Sequence, residues 1–182
     1  MERLREKPWD LPEVFYRVQY PGCGTILNDG GSLQASDTTT TYGENDLVSF
    51  GQSLINQFIW GHRGSPYISV FSDIEHAAKW AVKYSRDHNV KTVVYKIYRH
   101  ALQDTLVFSV RNLELRRGVR IPEVSSQHRQ NGYLCLHRIP AGAVKRCLDN
   151  NEVEESKQDM READRWERYQ RMYGPYTFGD KE

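Results

Sequence analysis

Ser65-Pro66-Tyr67-Ile68-Ser69-Val70-Phe71-Ser72-Asp73-Ile74-Glu75-His76-Ala77-Ala78-Lys79-Trp80-Ala81 holds two elements joined without a loop. Tyr67 to Phe71 is aromatic and β-branched with no breaker inside it, which reads as a strand entered through Ser65-Pro66. Ser72 then opens Ser-Asp-Ile-Glu, a capping box. Its hydroxyl is expected to take a free backbone N–H while Glu75 reaches back. Beyond that start, Ala77, Trp80, Ala81 and Tyr84 recur at helical spacing, so a helix is expected over 73–88 with those four on its buried side.

Working outward, Val14 to Gln19 is a second short aromatic and β-branched strand, ended by Pro21 to Gly24. Residues 22–46 are rich in Gly, Ser, Thr, Asn and Asp and read as a long polar loop, either a binding loop or plain disorder. Within it, Gly30-Gly31 after Asn28-Asp29 is turn chemistry and matches no phosphate-loop pattern. Apolar residues at 47, 50, 54 and 58 predict a helix stopped by Gly61 and Gly64. Downstream, strands are expected at 92–98, 106–110 and 133–136. Arg111 to Arg120, with four arginines, reads as a solvated loop or strand edge, and Ala143 to Cys147 as a short helix. Glu152 to Tyr173 is dense in charge and predicts a solvated helix with Trp166, Tyr169 and Met172 as anchors. This irregular mixture points to an α+β fold, with one domain over 1–150 and a charged helical extension over 151–182.

Composition narrows the function classes. A net charge of +1 gives no global case for nucleic acid or an anionic membrane as partner. No run reaches the roughly 18 apolar residues of a membrane span. The three cysteines (Cys23, Cys135, Cys147) form no C-x-x-C pair, the first ten residues lack an apolar leader core, and no N-x-S/T sequon occurs. The expected location is therefore cytoplasmic. None of the six histidines has metal-ligand spacing to another His or to Cys, so no metal is expected. Cys135 and His137 would share one strand face, but the flanking Leu134 and Leu136 favour a buried strand over a nucleophile pair.

Three segments carry the chemistry: Phe15-Tyr16-Arg17-Val18, the Ser69 strand running into its helix, and Gln130-Asn131-Gly132-Tyr133-Leu134 ahead of Ile139-Pro140. In order and spacing they resemble the cholera-toxin-like branch of the mono-ADP-ribosyltransferases, over roughly residues 13–145. The stretches SPYISVFSDIEHAAKWA and LHRIPAGAV look closer still to an uncharacterised family of fungal proteins. The resemblance implies a split mixed sheet with flanking helices and NAD as the substrate. It implies that Tyr16, Arg17 and Ser69 meet NAD, the arginine clamping ribose or phosphates through its planar fork. It also implies a Gln-x-Glu pair whose glutamate stabilises the oxocarbenium-like state. Gln130 matches the first member of that pair. Gly132 stands where the catalytic glutamate is due, seven residues before Ile139, and Val70 and Phe71 depart from the family's Ser-Thr-Ser. Glu123 is the nearest upstream carboxylate.

The residues themselves also allow plainer roles. Arg17 can be a structural interior arginine, Ser69 a sheet hydrogen-bonder, and His62 an ordinary loop residue. Three functions follow: an NAD-dependent transferase or glycohydrolase, a catalytically inactive module of the same fold that binds a nucleotide, or an enzyme of different chemistry on that fold. The 152–173 segment is the place for a protein partner. Replacing Arg17 by Ala is expected to remove ligand binding with little loss of folding.

Overall fold

Side-chain alternation along Val14–Gln19 (β1) sets the layers. Phe15 points to one side and Tyr16 to the other, and both are buried. The computed structural model describes residues 4–43, 46–58, 64–117, 129–148 and 150–173. The chain divides into two compact units, Met1–Leu148 and Asp149–Glu182.

In the first unit, β1 lies inside a six-stranded antiparallel sheet. The other strands are Tyr67–Phe71 (β4), Val93–Tyr98 (β5), Val107–Ser109 (β6), Gly132–Leu136 (β7) and Val144–Leu148 (β9), in the order β6-β7-β4-β1-β5-β9. The β1–β5 register runs from Val14 opposite Tyr98 to Gln19 opposite Val93, whereas β1 and β4 share one register pair, Tyr16 opposite Phe71. Ile26–Leu27 (β2), Leu33–Gln34 (β3) and Arg138–Ile139 (β8) form a second, smaller sheet. So the 22–46 loop holds two short strands. Gly31, at φ 81°, closes the hairpin between them and donates its N–H to Asn28 O at 2.7 Å.

The small sheet covers one face of the large one. Leu33, Ala35 and Ile139 pack with Phe15, Ile68, Val70, Ile97 and Cys135. Helices take the opposite face. Phe50, Leu54 and Phe58 of Leu47–Phe58 (α1) meet Tyr67, Phe108 and Leu134. Ile74–His88 (α2) buries Ile74, Ala77, Ala78 and Ala81 and lies over β1, β4 and β5. Trp80 and Tyr84, expected on the buried side, are half-buried. They stack on each other (5.0 Å, 19°) and against Tyr20 at the end of β1.

Three local expectations are corrected. Asp73, not Ser72, caps α2: its carboxylate accepts the N–H of Glu75 at 2.7 Å and of His76 at 3.2 Å. Ser72 instead donates its N–H to Asn131 O at 2.9 Å, so a contact from distant β7 takes it out of the contest. The 111–120 region opens as a helix, Val110–Arg117 (α3), because Val110 and Leu113, three apart, are both buried. The helix expected over Ala143 to Cys147 is replaced by a short 3-10 turn, Ala141–Ala143, followed by β9, since β5 has an open edge that Val144 to Leu148 fills, with a register shift between Tyr95 and Lys96.

The second unit carries Asn150–Tyr173 (α4). It is laced by i,i+4 contacts such as Arg171 to Glu167 at 3.1 Å. Trp166 and Tyr169 stack at 5.8 Å, and Trp166 and Met172 are exposed. Among the described residues no helix is long and apolar enough to cross a membrane.

Replacing Asp73 by Ala should lower stability by about 1 kcal/mol, the usual loss for a deleted cap, whereas Ser72→Ala should stay within about 0.5 kcal/mol. Urea unfolding of both variants checks this; the reverse ranking would return the cap to Ser72.

Candidate functional site

The sheet order places β7, β4 and β1 side by side, so the three segments singled out in the sequence are carried by adjacent strands. Their side chains do not all converge. Arg17 alternates with Tyr16 and shares the Phe15 side of β1, under the small sheet. Tyr16 lies on the helix side with Phe71, its register partner.

Arg17 is 8% exposed. Beyond the Tyr16–Phe71 pair, β1 and β4 share no further register partner, and there Arg17 Nη1 donates to the Ser69 carbonyl at 2.9 Å. Nη2 donates to Thr25 Oγ1 at 2.9 Å. Gln19, two residues on and therefore on the same side of the strand, donates Nε2 to Thr25 O at 2.6 Å. Thr25 is thus held by two side chains of β1. Arg17 Nε and Gln19 Oε1 remain buried without hydrogen-bond partners, one a donor and the other an acceptor. Unsatisfied buried polar atoms are uncommon and costly, and here two of opposite type belong to neighbouring side chains.

Ser69 meets Arg17 only through its backbone. By alternation its side chain shares the helix face with Tyr67. The Ser69 hydroxyl accepts from Gln57 Nε2 of α1 at 2.9 Å, and Gln57 Oε1 takes the Ser65 hydroxyl in a close hydrogen bond. Ser65 Oγ also accepts the N–H of Tyr67 at 3.1 Å, while Ser65 N–H reaches Ser36 Oγ at 3.0 Å. This chain of hydroxyls and amide leads to a cleft of about 600 Å³ between α1 and the 37–42 segment.

Gly132 is buried, opposite Phe71, on the same face as Ser69, and provides no carboxylate. Gln130 is exposed in the turn before β7 and belongs to neither cluster by any hydrogen bond shown. Asn131, between them, is tied to α2 through Asn131 Nδ2 to Asp73 Oδ2 at 3.3 Å. Glu123 and His62 lie outside the described residues.

Burial governs the titratable groups nearby. Desolvation pushes the Tyr20 hydroxyl up to about 12, with the Arg17 charge opposing it. It also pushes the Cys135 thiol, fully buried, up to about 12, so that thiol is no nucleophile at neutral pH. His137 lies past the end of β7 at φ 60°, with Nε2 at 2.8 Å from Thr40 O, so the two residues do not form a nucleophile pair. His76, against the Phe71 ring at 4.9 Å, is lowered by its burial. Among the described residues no group of three or more His, Cys, Asp or Glu could hold a metal.

The residues fit NAD in part. Arg17 Nε has a donor to spare and Gln19 Oε1 an acceptor, types that suit an anionic oxygen and a ribose hydroxyl, but both atoms are closed to solvent. Gly132 cannot stabilise an oxocarbenium ion. Gln19, Thr25 and Gln57 were missed in the sequence. Gln19 had one signal, its place two residues after Arg17 on a strand. The other two depend on contacts that no local pattern encodes.

Arg17→Ala leaves the Ser69 carbonyl and the Thr25 hydroxyl without their donor, so these bonds argue for a larger folding loss than the sequence suggested: the variant should lose about 3 kcal/mol in urea unfolding. A loss under about 1 kcal/mol would show the guanidinium to be replaceable. In native protein at mildly alkaline pH, a thiol reagent should label half-buried Cys23 well before Cys135, as peptide mapping would read. Equal labelling would contradict the burial of Cys135.

No curated protein and no solved structure matches the chain. A family model described as Domain of unknown function (DUF7587) matches residues 10–153, a span that includes all nine strands, and the chain belongs to that family.

Proposed function

We propose that the first unit is an ADP-ribosyltransferase-like module that binds a nucleotide of the NAD class and does not cleave it efficiently. The observation that carries this reading is the pair of buried, unpartnered atoms on β1, Arg17 Nε and Gln19 Oε1. A nucleotide offers both complements, since a phosphate oxygen accepts from Arg17 and a ribose hydroxyl donates to Gln19. The resemblance in the order of Tyr16-Arg17, Ser69 and Ile139-Pro140 supports the same reading, the first two on the adjacent strands β1 and β4.

Cleavage needs a preorganised negative charge at the anomeric carbon. Gly132 holds the position where the resemblance puts it, and removing one preorganised electrostatic group of this kind costs on the order of 10²–10³ in rate. The catalytically inactive form is therefore favoured over the transferase or glycohydrolase.

The test has two readouts on the full chain, thermal unfolding with NAD and nicotinamide release. Saturating NAD, at about 100 times Kd, should stabilise the native state by about 2.7 kcal/mol and raise Tm by roughly 5–10 °C. Nicotinamide release should stay at the level of a protein-free control. No shift up to roughly millimolar NAD would remove the nucleotide reading. Release above the control would restore the enzyme and turn attention to Glu123.

A further inference from the structure

The cleft of about 600 Å³ between α1 and the 37–42 segment is lined by a different chemistry from that around Arg17. Among the described residues that line it, Asp37 is the one carboxylate and none is a cation. Most of the lining is neutral and polar: Ser49, Gln52, Asn56 and Gln57 carry both donor and acceptor capacity, while the Thr40 and Ser65 hydroxyls, whose protons go to Asp37 and Gln57, can accept. From this lining we infer a second binding site on the helix face, for a neutral polyhydroxylated ligand, a saccharide unit.

The cleft is built before any ligand arrives. Gln57 is fixed from both ends, by the hydroxyls of Ser69 and Ser65. The Ser53 hydroxyl is held by Phe50 O and by Tyr67 Oη, each at 2.8 Å. Asp37 Oδ2 accepts the Thr40 hydroxyl in a close hydrogen bond, and Oδ1 accepts the N–H of Thr39 at 2.8 Å and of Thr40 at 3.0 Å; these bonds, the Thr40 hydroxyl's first, hold its carboxyl well below the usual aspartate range. Side chains locked in this way lose little entropy on binding. Gln52 and Asn56, both in the lining, bond each other at 3.0 Å through one donor and one acceptor, which leaves the Gln52 oxygen and the Asn56 amide hydrogens unspent in that bond.

Charge decides the ligand class. An anionic ligand would meet the Asp37 carboxylate with no cation among the described lining residues to offset it. An apolar ligand would strip water from hydroxyls and amides without replacing their hydrogen bonds. Sugar hydroxyls are donors and acceptors at once, as Ser49, Gln52, Asn56 and Gln57 are, and the volume lies within the usual range for small-ligand sites, about 300–1,000 Å³. The site is separate from Arg17, whose side chain lies on the other face of the sheet, so it stands or falls independently of the nucleotide reading.

The test follows side-chain amide resonances of Gln52, Asn56 and Gln57 by NMR in the full chain. Maltotriose, cellotriose, mannotriose and chitotriose are titrated, with glucose 6-phosphate as the anionic counterpart of glucose. At least one trisaccharide should give saturable shifts confined to the cleft, weakened at least ~10-fold in the Gln52→Leu/Asn56→Leu double variant. Neither side chain is in the core, so that variant should fold, and its unchanged backbone spectrum is the control. Absence of saturable shifts with all four trisaccharides would overturn the inference. So would equal binding by the double variant, or tighter binding of glucose 6-phosphate than of glucose.

Discussion

A guanidinium buried between two strands that part company is the constraint around which the rest of this fold is arranged. Burying a cation is expensive unless hydrogen bonds compensate it. Arg17 obtains two, from the Ser69 carbonyl on β4 and the Thr25 hydroxyl in the segment that leads to β2. One side chain thereby closes the gap left where β1 and β4 share a single register pair, and anchors the turn from which the small sheet departs. That sheet in turn seals Phe15, Ile68 and Val70 from solvent. A lysine could not do the same, since its point charge lacks the fork that reaches two acceptors at fixed angles.

The same arrangement separates two chemistries. The sheet carries its cationic polar cluster under the small sheet and its neutral hydroxyl and amide chain under α1, with Ser69 contributing to both, by carbonyl to one and by hydroxyl to the other. A strand residue can serve both because its backbone lies in the sheet plane while its side chain takes one face. Ser69 is the covalent link between the two clusters, and a change there would disturb the Gln57–Ser65 chain without removing the acceptor that Arg17 uses.

Much of the architecture was legible because short strands and amphipathic helices carry their own period. β1, β4 and α1 appear at the expected places, as does α2, since Phe50, Leu54 and Phe58 or Ala77 and Ala81 repeat where burial needs them. The misses share one cause, which is competition from residues far along the chain. Ser72 and Asp73 are both good caps by type, and Asn131, 59 residues away, decides between them. Val144 to Leu148 has little pattern of its own, and β5 makes it a strand. In the site, the residue types Arg17 and Ser69 stood out, but the faces they occupy follow from the register of Tyr16 against Phe71, which no local spacing encodes.

The hydrogen-bond partners of Arg17 raise a further point. Both are neutral, a carbonyl and a hydroxyl, so the cation is bonded yet not neutralised. A carboxylate at position 132 would not have served, because Gly132 belongs to the opposite face, with Phe71. A buried charge compensated only by dipoles holds free energy that an anionic partner can recover, and such a partner binds the native state alone. Ligand affinity and stability are then linked through one residue. On the proposed nucleotide-binding reading, a glycine at position 132 leaves that link intact, since the link concerns the charge on β1 and not the chemistry at β7.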